Sequence, residues 1–302
     1  MKTLAEVRDG PTDGLSLGDV RASKSLVREL QIRLAELGLL DPPADGDVGP
    51  VTLWAWQAFC ALRDTADASR LSAALARDLL SSSADGLLPL MATGTTLADR
   101  CARSMVKLGY WIARHPGCVN IAYIEGHDLD GQRNANQTDL YNDIRLVFSV
   151  HEGAPNLLGA WTATSQPGWR AILNPLPSIK DAVKAAAQIT LGQQKAWCVG
   201  THNGSTSHEG LVQRDKVRIH RDRDRNGKRD GDPVFERPDY GINQHHGSNS
   251  KKIGGYSAGC LVANNKAGHE EFMRIVKQDA RYRASNSYKY MTAVIGSEQL
   301  SD

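Results

Sequence analysis

Long apolar runs are missing from this chain. No stretch approaches the ~18 uninterrupted apolar residues of a membrane-spanning helix. The N-terminus, MKTLAEVRDGPTDG, lacks the apolar core of a secretory signal. A charge excess is missing too. The net charge is +2, which gives no electrostatic case for nucleic acid as a partner. There is no CxxC pair and no HExxH, and the five cysteines (60, 101, 118, 198 and 260) are widely spaced. A zinc finger and a compact metallopeptidase motif are therefore excluded, and no metal or cofactor is expected. Four of the cysteines, Cys60, Cys101, Cys118 and Cys198, are expected as buried reduced thiols.

What is present divides the 302 residues into parts. Residues 1–22, rich in Gly, Asp, Thr and Ser, are expected as a flexible leader. From residue 23 to 82 the pattern is helical. Leu26, Leu30, Leu34 and Leu37 recur at helical spacing, and Gly38 stands where the helix should end. A turn-dense stretch, DPPADGDVGPVT, follows. Thr52 is expected to cap a second helix that uses Leu53, Trp56 and Phe59 or Cys60, and a third helical pattern covers 68–80. A linker is expected at 83–90.

The region 91–302 reads differently. A helix is expected over 95–115. Short β-prone runs follow, such as VNIAYIEG, IRLVFSV, KAWCVGTHNG and PVFERPDYGINQH, bounded by Gly, Asn, Asp and Pro. Helices are expected to interrupt them at 180–190 and 267–279. The fold class is therefore α+β: a small N-terminal three-helix unit followed by a larger β-rich domain with a few helices. Trp161, Trp169 and Trp197 fall in strand-like segments and are expected mostly in the core.

One stretch carries candidate chemistry. In GINQHHGSNSKKIGGYSAGCLV (241–262) two histidines precede a flexible loop that ends on Ser257-Ala258-Gly259-Cys260. A cysteine nucleophile needs a base to take its proton and donors for the oxyanion. Strand alternation places Asn243 and His245 on one face and Ile242 and Gln244 on the other. His245 is therefore the favoured base and His246 the alternative. Ser257 and Gly259 shape the turn, and the amides near Gly259 and Cys260 are candidate oxyanion donors. His202, Asn243 and Gly247 are candidate substrate-binding residues, with His208 a weaker one. The stretch HRDRDRNGKRDGDPV (220–234) places Asp222, Asp224, Asn226, Gly227 and Asp230 like calcium-loop ligands. Pro233 stands where a bidentate carboxylate is required, and five cationic side chains crowd the loop. A solvated turn is the expectation there.

Two resemblances follow from these residues. LQIRLAELGLLDPPADGDVGPVTLWAWQAF (30–59) resembles the three-helix peptidoglycan-binding domain: an LQ helix, a Leu-Gly end, an Asp-Gly-x-x-Gly turn, then Thr and an aromatic helix. The 241–262 stretch resembles the active-site loop of the L,D-transpeptidase superfamily, with His245/His246-Gly247 and Ser257-x-Gly259-Cys260 at the motif positions. Ala258 replaces the usual second histidine, and Leu261-Val262 replace the usual polar residues after the cysteine. GINQH, SAGC and AWCVGTH together are similar to a divergent group of that superfamily over most of 118–295. The resemblances imply a peptidoglycan-degrading cysteine peptidase that works through an acyl-enzyme, as in a phage endolysin or an antibacterial effector. Cross-linking by the same acyl-enzyme and non-catalytic wall binding are the alternatives. Peptidoglycan is the expected partner, and a monomer the expected state. The chain is expected to be made in the cytoplasm without a signal peptide and to act at the wall or periplasm after release or delivery.

Overall fold

The computed structural model describes residues 2–65, 67–176, 184–204 and 206–302. The helical part begins with α1 (Leu4–Arg8), β1 (Leu15–Ser16) and α2 (Leu17–Arg21). The loose leader expected here is corrected. Both helices carry capping boxes, from Thr3 with Glu6 and from Ser16 with Asp19. Leu4, Val7 and Val20 are buried, so the segment has apolar anchors that its polar composition hides.

Next come α3 (Lys24–Glu36) and α4 (Pro50–Leu62). Helix α4 starts earlier than expected, because Gly49 is its N-cap and Pro50 its first residue. Thr52 lies inside the helix, facing α3. The two helices are joined around Gln31. Its Nε2 donates to Asp45 Oδ1 (2.7 Å), Asp47 O (3.0 Å) and Thr52 Oγ1 (3.1 Å), and its Oε1 accepts from Gly46 N (2.7 Å). Gly46 has φ +82°, a conformation that costs other residues energy. The third helix expected over 68–80 is α5 (Ala73–Ser81), and it starts later than expected because Arg70–Leu71 form strand β2, paired antiparallel with β1. Where a linker was expected, Ser83 caps the short α6 (Ala84–Leu87), and Leu88 joins the helical core.

Helix α7 (Leu97–Lys107) opens the second part. It stops well before His115 because Gly109 turns the chain at φ +71°. The strands are β3 (Asn120–Ile124), β4 (Asp143–His151), β5 (Ala154–Thr164), β6 (Ala186–Ile189), β7 (Gly192–Asn203), β8 (Ser207–Gln213), β9 (Val217–Asp222), β10 (Val234–Arg237), β11 (Gln244–His246), β12 (Leu261–Ala263) and β13 (Tyr290–Ile295). Helices α8 (Trp169–Leu173), α9 (Lys266–Val276) and α10 (Ala280–Ala284) complete the set. The helix expected over 180–190 is corrected. Residues 180–183 lie outside the described residues, and 186–189 are strand β6. Trp169 stands in α8 and not in a strand.

Eight strands close a barrel in the order β11-β12-β5-β4-β3-β13-β7-β8. A smaller sheet, β10-β9-β6, packs beside it. Strands β11 and β12 pair in parallel through only Gln244↔Leu261, His245↔Val262 and His246↔Ala263. Gln244 points into the barrel, where its Nε2 donates to Thr292 Oγ1 (2.9 Å). Trp197 and Trp161 are core residues as expected, with Trp197 Nε1 donating to Ile242 O (2.7 Å).

The two parts meet at Asp41, which is buried. Its carboxylate faces Lys195 Nζ (2.6 Å) and Arg281 Nη1 (3.3 Å) and accepts from Tyr288 OH (3.0 Å). Two hydrogen bonds to backbone carbonyls add to this seam: Trp111 Nε1 donates to Ala35 O and Arg114 N to Gly38 O. Among the described residues no helix is long and apolar enough to cross a membrane.

Candidate functional site

The site is built at the barrel's short parallel seam. The loop before Cys260 is held by its own polar groups. Ser257 Oγ donates to Cys260 O (2.8 Å) and accepts from Gly259 N (3.1 Å). Ser257 O accepts from Gly168 N (3.0 Å), which ties the loop to the start of α8. Gly259 has φ +133°, and a Cβ there would lie 2.7 Å from Ala187 Cβ. Only glycine lets the turn before Cys260 lie this close to β6. Gly247 is needed for a similar reason, since a Cβ would collide with the Tyr141 hydroxyl.

Four of the five cysteines are buried, and Cys260 is half-buried. Its Sγ accepts from Asn243 N (3.4 Å) and donates to Gly241 O (3.3 Å). The thiol borders a cavity of about 230 Å³ between the barrel and β6, also lined by Gly241, Ile242, Ala258, Ala187 and Arg221. Burial pushes the Cys260 thiol up to about 11, against the Asn243 amide, which favours the thiolate. Burial raises Cys60 and Cys101 to about 12 as well.

The histidines gather on the neighbouring face of β7, β8 and β11. His245 stacks on His202 with ring centroids 4.0 Å apart and planes 6° apart. His208 lies 4.0 Å from His246, and His269 of α9 lies 5.7 Å from His246. His245 Nδ1 donates to His246 O (3.0 Å), and Asn243 Nδ2 donates to His202 Nδ1 (3.0 Å). Burial, followed by the neighbouring His202, pushes His245 down to about 3. His269 falls to about 2 through burial and the adjacent Arg145 guanidinium. His202 and His208 are also lowered, mainly by burial. At neutral pH these imidazoles are therefore uncharged, and the thiol is protonated.

The structure brings Cys260 together with Asn243, Ser257 and Gly259, and His245 together with His202, His208 and His246. Among the described residues, no hydrogen bond joins the thiol to an imidazole. Asn243 links the two groups, since its amide reaches the sulfur and its side chain reaches His202. His269 was not singled out in the sequence. A lone histidine on a helix gives no periodic signal, and only tertiary packing places it beside His246. Arg145, which supports His269 from inside the barrel, was equally invisible.

The 220–234 stretch forms a tight turn. Asp222 accepts from Asn226 N (3.1 Å) and Gly227 N (3.0 Å). Ligand-type oxygens of Asp222, Asp224 and Asp232 lie within 4.8 Å of one another. Asp230, which the calcium-loop spacing would place among the ligands, is not among them. Arg229 leaves the turn to pair with Glu125, at 2.5 and 2.8 Å.

No protein-family model matches this chain, and no curated protein is similar to it. Among solved structures, a fused Zn-dependent amidase/peptidase/peptidoglycan-binding domain-containing protein from Clostridium acetobutylicum aligns at 15% identity over 94% of this chain and 98% of that one. The TM-score is 0.25, too low to carry fold or function across.

Proposed function

We propose that the chain is a peptidoglycan hydrolase in which Cys260 attacks a stem-peptide carbonyl. The observation that carries this reading is the placement of Cys260. It is the cysteine that borders a cavity, on a loop braced by Ser257 and opened by Gly259. Attack forms a carbon–sulfur bond as the scissile carbon–nitrogen bond breaks, and the thiol proton ends on the departing amine. Water then releases the acyl group and restores the thiol. The uncharged imidazole of His245 supplies the base, with His246 the alternative, and His202, positioned by Asn243, contacts the substrate. The Cys260 amide supplies an oxyanion donor, because it takes no partner among the described residues. Gly247 lets β11 end against Tyr141. The N-terminal unit holds the wall and raises local substrate concentration, as in an endolysin or a delivered antibacterial effector.

A second reading, non-catalytic wall binding, is favoured by one observation: the resting thiol has no imidazole partner among the described residues. Digestion of purified peptidoglycan, read by mass spectrometry, separates the two. The wild type is expected to release new peptide ends. Cys260→Ala should lower that rate by about three orders of magnitude or more while wall binding is kept. Equal products from both proteins would remove the nucleophile assignment. No products from either, with an amine acceptor absent and present, would favour the binding reading.

A further inference from the structure

We propose that Arg170 recognises a substrate carboxylate adjacent to the bond attacked by Cys260; this rests on the Cys260 reading given above. A second cavity, of about 550 Å³, is lined by Arg170, Ala171, Asn174, Leu176, Gly255 and Ala258. It shares Ala171, Leu176 and Ala258 with the thiol cavity, so the two adjoin as a two-lobed groove.

Arg170 is held in register with the nucleophile. The start of α8 is tied to the loop by Gly168 N to Ser257 O (3.0 Å). Asp139 Oδ1 accepts from both Trp169 N (3.1 Å) and Gly254 N (2.8 Å). The guanidinium lies over Gly255, where an added Cβ would sit 3.3 Å from both its Cδ and its Nη1.

The charge balance of the groove picks out this residue. Arg221 in the thiol cavity is engaged, with Nη1 donating to Ala185 O (3.1 Å) and its guanidinium 5.2 Å from the Tyr240 ring. The Arg170 side chain makes no ion pair, hydrogen bond or ring stack with the described residues, and among the described residues no acidic one lines its cavity, Asp239 lining the thiol cavity instead. A planar guanidinium offers parallel donors matched to a carboxylate, and a charge-assisted pair is roughly twice as strong as a neutral one. Stem peptides carry such carboxylates on side chains and at the C-terminus.

The test uses a stem tetrapeptide and a set of analogues, each with one carboxylate converted to carboxamide. Binding to Cys260→Ala protein is measured by calorimetry, and turnover with the wild type. One of the amidations should weaken binding and kcat/KM by about tenfold. Arg170→Gln should weaken the parent peptide by the same factor and make parent and amide equal, while Arg170→Lys keeps part of the preference. A preference that survives Arg170→Gln overturns the proposal, as does a set in which no amidation matters or a parent peptide that does not bind. If an Arg170-dependent preference appears in binding while the wild type cleaves nothing, the carboxylate site stands and the Cys260 reading falls.

Discussion

The helical unit and the barrel satisfy their buried polar groups in different ways. In the helical unit one neutral side chain, Gln31, closes a network with Asp45, Gly46, Asp47 and Thr52, all within a short stretch of chain. In the barrel several buried groups are charged, and partners such as Arg229 and Val119 O come from far along the sequence. Glu125 holds Arg229, Asp279 holds Arg281, and the Arg281 guanidinium also caps Val119 O (2.7 Å). A neutral amide network leaves modest penalties when disturbed. A buried ion pair that loses one member leaves an uncompensated charge, which costs more.

That difference is broken most directly at Asp41, where the helical unit enters the barrel's charge network. Asp41→Asn should cost about 3–5 kcal/mol in urea unfolding, because Lys195 and Arg281 lose their shared anion. A loss below that of Gln31→Leu would reverse the comparison. Gly259→Ala comes next. It forces an alanine to φ +133° against Ala187 and should cost about 2–4 kcal/mol, with activity lost even where the protein remains folded. Circular dichroism melts beside digestion assays would check both effects, and an unchanged melt would mean that the loop relaxes freely. Gln31→Leu should cost about 1–3 kcal/mol by stranding the buried Gly46 N. Its effect should fall on the helical unit alone, seen as faster amide exchange there.

The remaining effect is a pH slope, and it belongs to the barrel, since no histidine precedes His115. His245 and His269 stay neutral in the fold down to about 3 and about 2, whereas unfolded histidine titrates near ~6.5. Below ~6.5 the unfolded chain takes up protons that the fold refuses, so stability present above that pH is lost on acidification. Each histidine contributes up to about 1.4 kcal/mol per pH unit. Asp143 acts with the opposite sign. Burial and Glu125 raise it to about 7, so the fold keeps a proton there that the unfolded chain loses above ~3.9. Two histidines against one carboxyl leave a net loss between pH 6.5 and 4. His269→Gln should flatten the slope by about one histidine's share. An unchanged slope in that variant would show that His269 is accessible to protons in the fold.

Much of the local architecture was legible in the sequence. The leucine spacing of α3 and the glycines of the turn marked the helical unit, and alternating runs marked most long strands. Gly-x-Asn243-x-His245 and Ser257-x-Gly259-Cys260 stood out because glycine and a polar pattern leave chemical traces. The leader's order was hidden because Leu4, Val7 and Val20 are too sparse to show periodicity. Strand β6 was hidden by its alanines, which read as helix until a neighbouring strand recruits them. The distribution of site residues was hidden for a geometric reason. Alternation places His245 and Asn243 on one face of β11, but it does not say which neighbours that face meets. His202, the substrate-binding candidate, lies against His245 because β8 carries β7 to the seam. Arg170 left no trace, since its setting depends on a groove that no single segment contains.

The three-residue pairing of β11 with β12 has a consequence in time. These strands close the barrel, and each is short and joined to partners distant along the chain. Such contacts form only after long loops have been drawn together. Cys260 immediately precedes one of these strands and His245 sits in the other. A nascent or partly folded chain therefore carries the residues of the site without the site itself. The chemistry proposed here becomes available only when the last staves of the barrel are in place, so completion of folding acts as the safety catch.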